Sequence, residues 1–418
     1  MKQSKYNYIL RSKNQAVIVF NTASEAMVSI NNELFTKYFT KAVMVLDENA
    51  TQLHNMGFLV DDNEDETFKQ NCIRMTEKYC IDKKITYVTI LTTLNCNARC
   101  WYCFENGTKR YDMSDDVVND TIKFLIENGD PNDLEIRWFG GEPLMRKDTI
   151  YKISKALLDK GFNINSVITT NGLLFDKAFS QVMKENYGLT RVQITIEGIN
   201  EDYNNIRKYP DYAGNAFDKV IENIQGAIDN GIKVNVRVNF SPTMKNSADD
   251  TIEYLHNRFG NSIYIYVSPV YGTDQEPCKK DGTYLYFLKK LIDYKYIQNL
   301  SQCYLRPKTI FCGAQRMNNF AIAPDGKLYK CEHELTVKHA ERNVGSVQKG
   351  IEYNSIYKFW CEEYEQNLEC QECVLLPICQ GGCKGARALP EIGEICPPYK
   401  PYMKDLLLEM YKIKTKEV

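Results

Sequence analysis

The sequence predicts an α/β fold: a partial (β/α)6 barrel at residues 81–275, set between a small winged-helix-like module at 1–80 and a cysteine-rich tail at 276–418. Three observations predict it. Three short strand-like segments followed by helical ones fill the first 80 residues. Six strand-like segments then alternate with helical ones. After about residue 275 that rhythm stops and cysteines take over. Repeated βα units imply a parallel sheet with helical crossovers, here curling into a barrel. A chain of 418 residues is long enough for two or three such units.

In the first 80 residues the strand-like segments are 6–10, 16–21 and 26–30. Helical segments follow at 32–42 and 50–56, the second ended by Gly57, and an acidic run occupies 61–66. The pattern fits a winged-helix-like module or a cap on the next domain. The barrel strands are predicted at 85–92, 134–138, 167–170, 192–196, 233–239 and 263–267. The helices lie at 115–127, 149–160, 175–185, 217–230 and 248–259, with Ser114 as N-cap of the first. Sites in such folds gather at the C-terminal strand ends. Those ends carry 93–103, Gly140-Gly141-Glu142-Pro143, Asn171-Gly172 and Glu197-Gly198. Beyond 275 only helices at 284–294 and 404–412 are legible, and metal ligation is a sufficient reason for long loops there.

Composition excludes several classes. The 52 Lys+Arg against 54 Asp+Glu give a net charge of −2 and argue against a sequence-independent nucleic-acid binder. Mean hydropathy is −0.43, and no apolar run approaches the roughly 20 residues of a membrane span. The first residues, MKQSKYNYILRSKNQ, lack the apolar stretch of a signal peptide. A soluble cytoplasmic protein with no membrane or nucleic-acid partner is expected.

The 15 cysteines are too many for that plain picture, and in a reducing compartment their spacing points to metal or catalysis rather than disulfides. With only four histidines any metal site is rich in thiolates, which favours zinc or iron–sulfur clusters. Cys96, Cys100 and Cys103 follow the first barrel strand at C-x3-C-x2-C spacing. Three ligands on a four-iron cluster leave one iron open, the logic of a catalytic site; the alternative is zinc with a distant fourth ligand.

Here the chain resembles the radical S-adenosylmethionine (SAM) enzymes. The resemblance implies a [4Fe-4S] cluster on the three cysteines that binds SAM and cleaves it to a 5′-deoxyadenosyl radical, which abstracts hydrogen from substrate. Tyr102 matches the aromatic whose backbone lies against the adenine. Gly140, Gly141, Glu142 and Pro143 match the GGEP motif, with Glu142 placed to accept from the SAM ammonium. Asn171 resembles the family's TNG strand end, Thr195 stands where many relatives have Ser, and Arg207 matches a partner for the SAM carboxylate.

The tail reads Cys312-x13-Gly326-x4-Cys331, then Cys370-x2-Cys373-x5-Cys379-x3-Cys383, then Cys396. This resembles the SPASM domain, which holds two auxiliary [4Fe-4S] clusters, three in all. By resemblance Cys303, Cys312, Cys331 and Cys383 hold the first, and Cys370, Cys373, Cys379 and Cys396 the second. A pair of zinc ribbons is the alternative. Cys72, Cys80, Cys278 and Cys361 match no pattern. Relatives with this domain modify ribosomally made peptides, installing thioether or carbon–carbon crosslinks or epimerised residues, while another branch makes formylglycine in sulfatases. The N-terminal module resembles an element that receives a leader peptide at a strand edge. The expectation is therefore a peptide maturase, with a leader-bearing precursor as partner and flavodoxin or ferredoxin as electron donor. The alternatives are a formylglycine-generating enzyme and an epimerase.

Overall fold

A computed structural model describes residues 1–11, 16–44, 47–80, 84–270, 282–297, 305–336, 341–362, 368–389 and 395–416. The chain begins with β1 (Lys2–Gln3), β2 (Asn7–Arg11), β3 (Val17–Asn21) and β4 (Met27–Ile30). It continues through α1 (Asn32–Phe39), α2 (Glu48–Asn55), β5 (Leu59–Val60) and α3 (Glu64–Cys80). β2, β3 and β4 form an antiparallel sheet in that order, and β1 pairs with β5. All five residues of β3 are buried because its two faces serve different cores. Val17 and Val19 pack with Tyr38, Phe39, Leu53 and Phe58, while Ile18 and Phe20 join the large core of the barrel. The module is thus welded to the rest of the chain. α3 departs from the sequence reading: the acidic run opens a 17-residue helix, with Glu64, Asp65 and Glu66 in the first turn, where the helix dipole favours carboxylates.

The barrel follows as β6 (Tyr87–Thr93), α4 (Asp115–Asn128), β7 (Leu134–Gly140), α5 (Lys147–Asp159), β8 (Ile164–Thr170), α6 (Lys177–Asn186) and β9 (Leu189–Thr195). It closes with α7 (Asn200–Arg207), α8 (Ala216–Asp229), β10 (Lys233–Phe240), α9 (Lys245–Phe259) and β11 (Ile263–Pro269). The six strands are parallel in sequential order, as the alternation predicts. Ser114 caps α4, its hydroxyl accepting from Val117 N at 3.3 Å. α7 is an addition to the predicted scheme; eight mostly polar residues carry no apolar period.

β7 and β11 alternate. In β7, Leu134, Ile136 and Trp138 are fully buried while Glu135, Arg137 and Phe139 are half-exposed. In β11, Ile263, Ile265 and Val267 are buried while Tyr264, Tyr266 and Ser268 are half-exposed. A parallel sheet buried on both faces reads as a continuous apolar run. The polar, half-exposed set here gives the barrel an inner face open to a ligand.

After α10 (Thr283–Asp293) come β12 (Asn319–Ile322), β13 (Leu328–Tyr329), β14 (Gly345–Ser346) and β15 (Gly350–Ile351). Four short helices follow: α11 (Ser355–Cys361), α12 (Leu368–Gln371), α13 (Leu376–Cys379) and α14 (Lys384–Ala388). α15 (Met403–Lys416) ends the chain. The break predicted at 275 is a break in rhythm and not in the sheet. β12 lies parallel to β6, from Asn319 beside Tyr87 to Ile322 beside Ile90, and β13 pairs with it, so the tail extends the barrel to eight strands. Gly326, the motif glycine, makes the turn between them at φ +82°, a left-handed conformation that glycine adopts freely.

Ile322 on β12 is fully buried in the main core. Ile322→Ala is expected to cost about 2–5 kcal/mol and to lower the unfolding of barrel and tail together. Two separated transitions in a denaturant titration would show instead that the tail folds on its own.

Candidate active site

The loop after β6 presents Cys96, Cys100 and Cys103 without regular structure of its own, and its backbone is held from the ends of its neighbours. Gly141 N donates to Thr93 O at 3.0 Å, and Glu142 N donates to Asn95 O at 2.8 Å. A Cβ on Gly140 would fall 2.2 Å from Thr93 O, and one on Gly141 would fall 2.3 Å from Asn95 O. The paired glycines therefore let the β7 end close onto the cysteine loop. From the other side, Arg99 N donates to the carbonyls of Arg207 (2.8 Å) and Lys208 (2.9 Å) at the end of α7. Asn171, just after β8, donates from Nδ2 to Asn97 Oδ1 at 2.7 Å.

Glu142 is fully buried. Its Oε1 accepts from Thr170 Oγ1 (2.7 Å) and Leu144 N (3.1 Å), and its Oε2 accepts from Asn171 N (2.8 Å). A carboxylate has about four acceptor positions, so one at most is left for an ammonium. Burial raises its pKa against these hydrogen bonds. Pro143 is buried behind it.

Thr195, Arg207 and Cys100 meet at the β9 end. Arg207 Nη2 donates to Thr195 O at 2.7 Å and lies 2.7 Å from Glu197 Oε2, in an ion pair with side-chain exposures of 7% and 0%. Glu197 also accepts from Asn239 Nδ2 at 2.7 Å. Arg207 Nη1 points at Cys100 Sγ, 3.5 Å away, while Nε is buried without a hydrogen-bond partner. The guanidinium stands 5.9 Å from the ring centroids of both Tyr102 and Tyr203. Arg207 is thus already neutralised by Glu197, a residue the sequence reading named only as a strand end, and reaches the cysteine loop through Nη1.

The residues present fit a cluster better than a zinc ion. Tetrahedral zinc with Zn–S near 2.3 Å draws its thiolates to roughly 3.8 Å apart. Among the described residues, His54, Asp61 and Glu64 are the one set of three potential ligands with donor atoms within 4.8 Å of one another. No three thiols among the described residues come so close, although Cys96 feels the charge of Cys100 and Cys103, and Cys103 that of Cys100. Wider spacing suits a cluster that gives each thiolate its own iron. Burial raises the Cys96 thiol to about 12 and the Cys103 thiol to about 11. Bound metal reverses that order, since a coordinating thiol is deprotonated outright.

In the tail, Cys312 feels the charge of Cys383, and Cys331 that of Cys312; Cys379 feels Cys370 and Cys373, and Lys400 faces Cys373, Cys379 and Cys396. Among the described residues, Cys312 thus neighbours Cys331 and Cys383, while Cys370 and Cys373 neighbour Cys379. Cys303 and Cys278 lie outside the described residues, and Cys72 and Cys361 are buried. The first tail set touches the barrel through residues the sequence reading missed. Phe104, next to Cys103, packs against His333 with centroids 4.9 Å apart, and Arg137 pairs with Glu332 at 3.0 Å. The alternation Leu134-Glu135-Ile136-Arg137-Trp138 was the available signal: it places a charged residue on the inner face.

Glu197→Ala strands a buried guanidinium, for which about 3–5 kcal/mol of destabilisation is expected. Gly141→Ala is expected to displace the cysteine loop and lower iron content at the triad with little loss elsewhere. Thermal melts and iron analysis of the two variants check both outcomes.

Residues 90–259 match the family model described as Radical SAM superfamily. The cysteine-type anaerobic sulfatase-maturating enzyme of Clostridium perfringens (strain 13 / Type A) is 23% identical over 354 residues, 74% of this chain and 92% of the relative. The structure of native anSMEcpe with bound AdoMet superposes at TM-score 0.64 (19% identity, 79% of this chain, all of that one). The same protein with AdoMet and a Kp18Cys peptide superposes at 0.62 (18% identity, 79% and 99% covered). Streptococcus suis SuiB bound to S-adenosylmethionine gives 0.51 at 15% identity, over 92% of this chain and 95% of that one. Residues 90–259, then, carry a radical SAM domain, and over most of its length the chain is similar to enzymes that carry one.

Proposed function

We propose that this chain modifies a ribosomally made precursor peptide, abstracting hydrogen from it and installing a crosslink, either thioether or carbon–carbon. With a four-iron cluster on Cys96, Cys100 and Cys103, SAM supplies a 5′-deoxyadenosyl radical. The chain's own residues hold and orient. Gly140 and Gly141 fix the cysteine loop, Asn171 braces Asn97, and Arg207 sets Nη1 on Cys100, with Thr195 and Tyr102 around it. Cys312, Cys331 and Cys383 with Cys303, and Cys370, Cys373, Cys379 and Cys396, hold the two auxiliary clusters.

The observation that carries the peptide reading is the polar inner face of the barrel, bounded by the cysteine loop and by Glu332–His333. The relative anSMEcpe holds a peptide in a structure of the same fold. The N-terminal module supports a leader-binding role. Among the described residues β2 and β4 each pair with β3 alone, leaving strand edges for augmentation, and a cavity of 380 Å³ lies beside β2. The SuiB fold spans 92% of this chain, so part of residues 1–80 falls within the match. Formylglycine formation is the second reading, favoured by the higher TM-score of anSMEcpe.

Changing Cys96, Cys100 and Cys103 together to Ala is expected to abolish reductant-dependent release of 5′-deoxyadenosine; retained release would remove the triad as the SAM cluster. A candidate precursor treated anaerobically in deuterated water is expected to lose two hydrogens, located by fragmentation. Deuterium at one α-carbon would mean epimerisation. SAM cleavage with an unmodified peptide, but oxidation of a sulfatase Cys or Ser, would establish the second reading.

A further inference from the structure

The two tail thiol sets have unlike surroundings. Arg387, on α14, donates from Nη2 to Cys370 Sγ at 3.0 Å and also to the carbonyl of Gly381, which fixes the guanidinium. Lys400 donates from Nζ to Cys396 Sγ at 3.4 Å. Among the described residues neither cation pairs with a carboxylate, in contrast to Arg137, held by Glu332, and Arg342, held by Glu334. Glu369 and Glu372 adjoin Cys370 and Cys373 in sequence, but both are exposed. At the other set, Cys383 Sγ accepts from Ala386 N at 3.4 Å, Cys312 from the Ala314 N–H and Cys331 from the His333 N–H. Lys308 lies near Cys312 and near Cys379 of the second set alike, but among the described residues none of these three sulfurs accepts a hydrogen bond from a cationic side chain, and Glu332 adjoins Cys331.

We propose that Arg387 and Lys400 are positioning residues that make a cluster on Cys370, Cys373, Cys379 and Cys396 the more readily reduced of the two tail clusters. One-electron reduction adds negative charge to a cluster, and hydrogen bonds to its sulfurs together with nearby cations stabilise that charge. Two cations without carboxylate partners, each on a different ligand of one set, act in the same direction. This inference rests on reading those four cysteines as a cluster site.

The test is potentiometric EPR titration of the full chain, reconstituted with iron and sulfide. The Cys96, Cys100 and Cys103 to Ala background leaves the two tail clusters in view. Arg387→Gln and Lys400→Gln are each expected to lower the midpoint of the same cluster and leave the other unmoved, with Arg387→Lys restoring most of the shift. Unchanged midpoints, or shifts in different clusters, overturn the proposal. If Arg387→Gln fails to load iron, the exposed Lys400→Gln decides alone, and an unchanged midpoint there overturns it. Iron analysis showing no cluster at the four cysteines in the unsubstituted background overturns the reading beneath it and the inference with it.

Discussion

The Glu197–Arg207 pair holds the mouth of the barrel together. Taking two charges out of water costs several kcal/mol per ion, and mutual attraction offsets this only when the remaining donors and acceptors are also met. Here Asn239 and the Thr195 carbonyl meet part of that demand, and two tyrosine rings flank the guanidinium. Such a pair contributes little net stability, but it fixes geometry. With the Arg207 side chain locked to β9, the end of α7 is fixed, and its last carbonyls can hold Arg99 between Cys96 and Cys100. One buried contact therefore sets where the first thiols stand.

The tail is placed by the same logic of borrowed support. Its cysteine segments have little regular structure, so their positions derive from packing on elements formed elsewhere. β12 joins the barrel sheet beside β6, and the hairpin turn at Gly326 returns the chain toward Cys331. The N-terminal module braces the rest. Phe311, next to Cys312, donates its N–H to Thr76 Oγ1 on α3 at 3.2 Å; Cys72 lies 3.3 Å from the Lys308 carbonyl; and Thr22 donates to the Val374 carbonyl, beside Cys373, at 2.5 Å. These contacts hold the tail thiols near one another through the fold itself.

Most of the barrel was legible because its signals are local. Alternating apolar residues, the Ser114 cap and the turn glycines each act within a few positions, and the strands fall within a few residues of where those signals place them. α7 escaped because Asn200–Arg207 carries no apolar period and is held by tertiary contacts at its C-terminal end. α3 escaped because acidic residues that stabilise a helix N-terminus look, in sequence, like a solvated charge run. The pairing of β12 with β6 joins residues more than 200 positions apart, and no spacing rule reports it. Cysteine motifs were the most legible part of the site, since their spacing is itself the signal, whereas Phe104, Glu332 and His333 meet only through the fold.

The strand-end motifs divide into side chains that face a ligand and side chains that hold those that do. Glu142 accepts three hydrogen bonds from its own chain, and Asn171 bridges β8 to the cysteine loop. Gly140 and Gly141 are small because the Thr93 and Asn95 carbonyls occupy the space a Cβ would need. Such residues bear on chemistry by position, since a displacement of about 1 Å at the reacting centre can cost on the order of a hundredfold in rate. What meets the thiols from the neighbouring strand ends is narrow: Arg207 through Nη1 on Cys100 Sγ and Asn171 through Asn97, while Glu142 keeps one acceptor position at most.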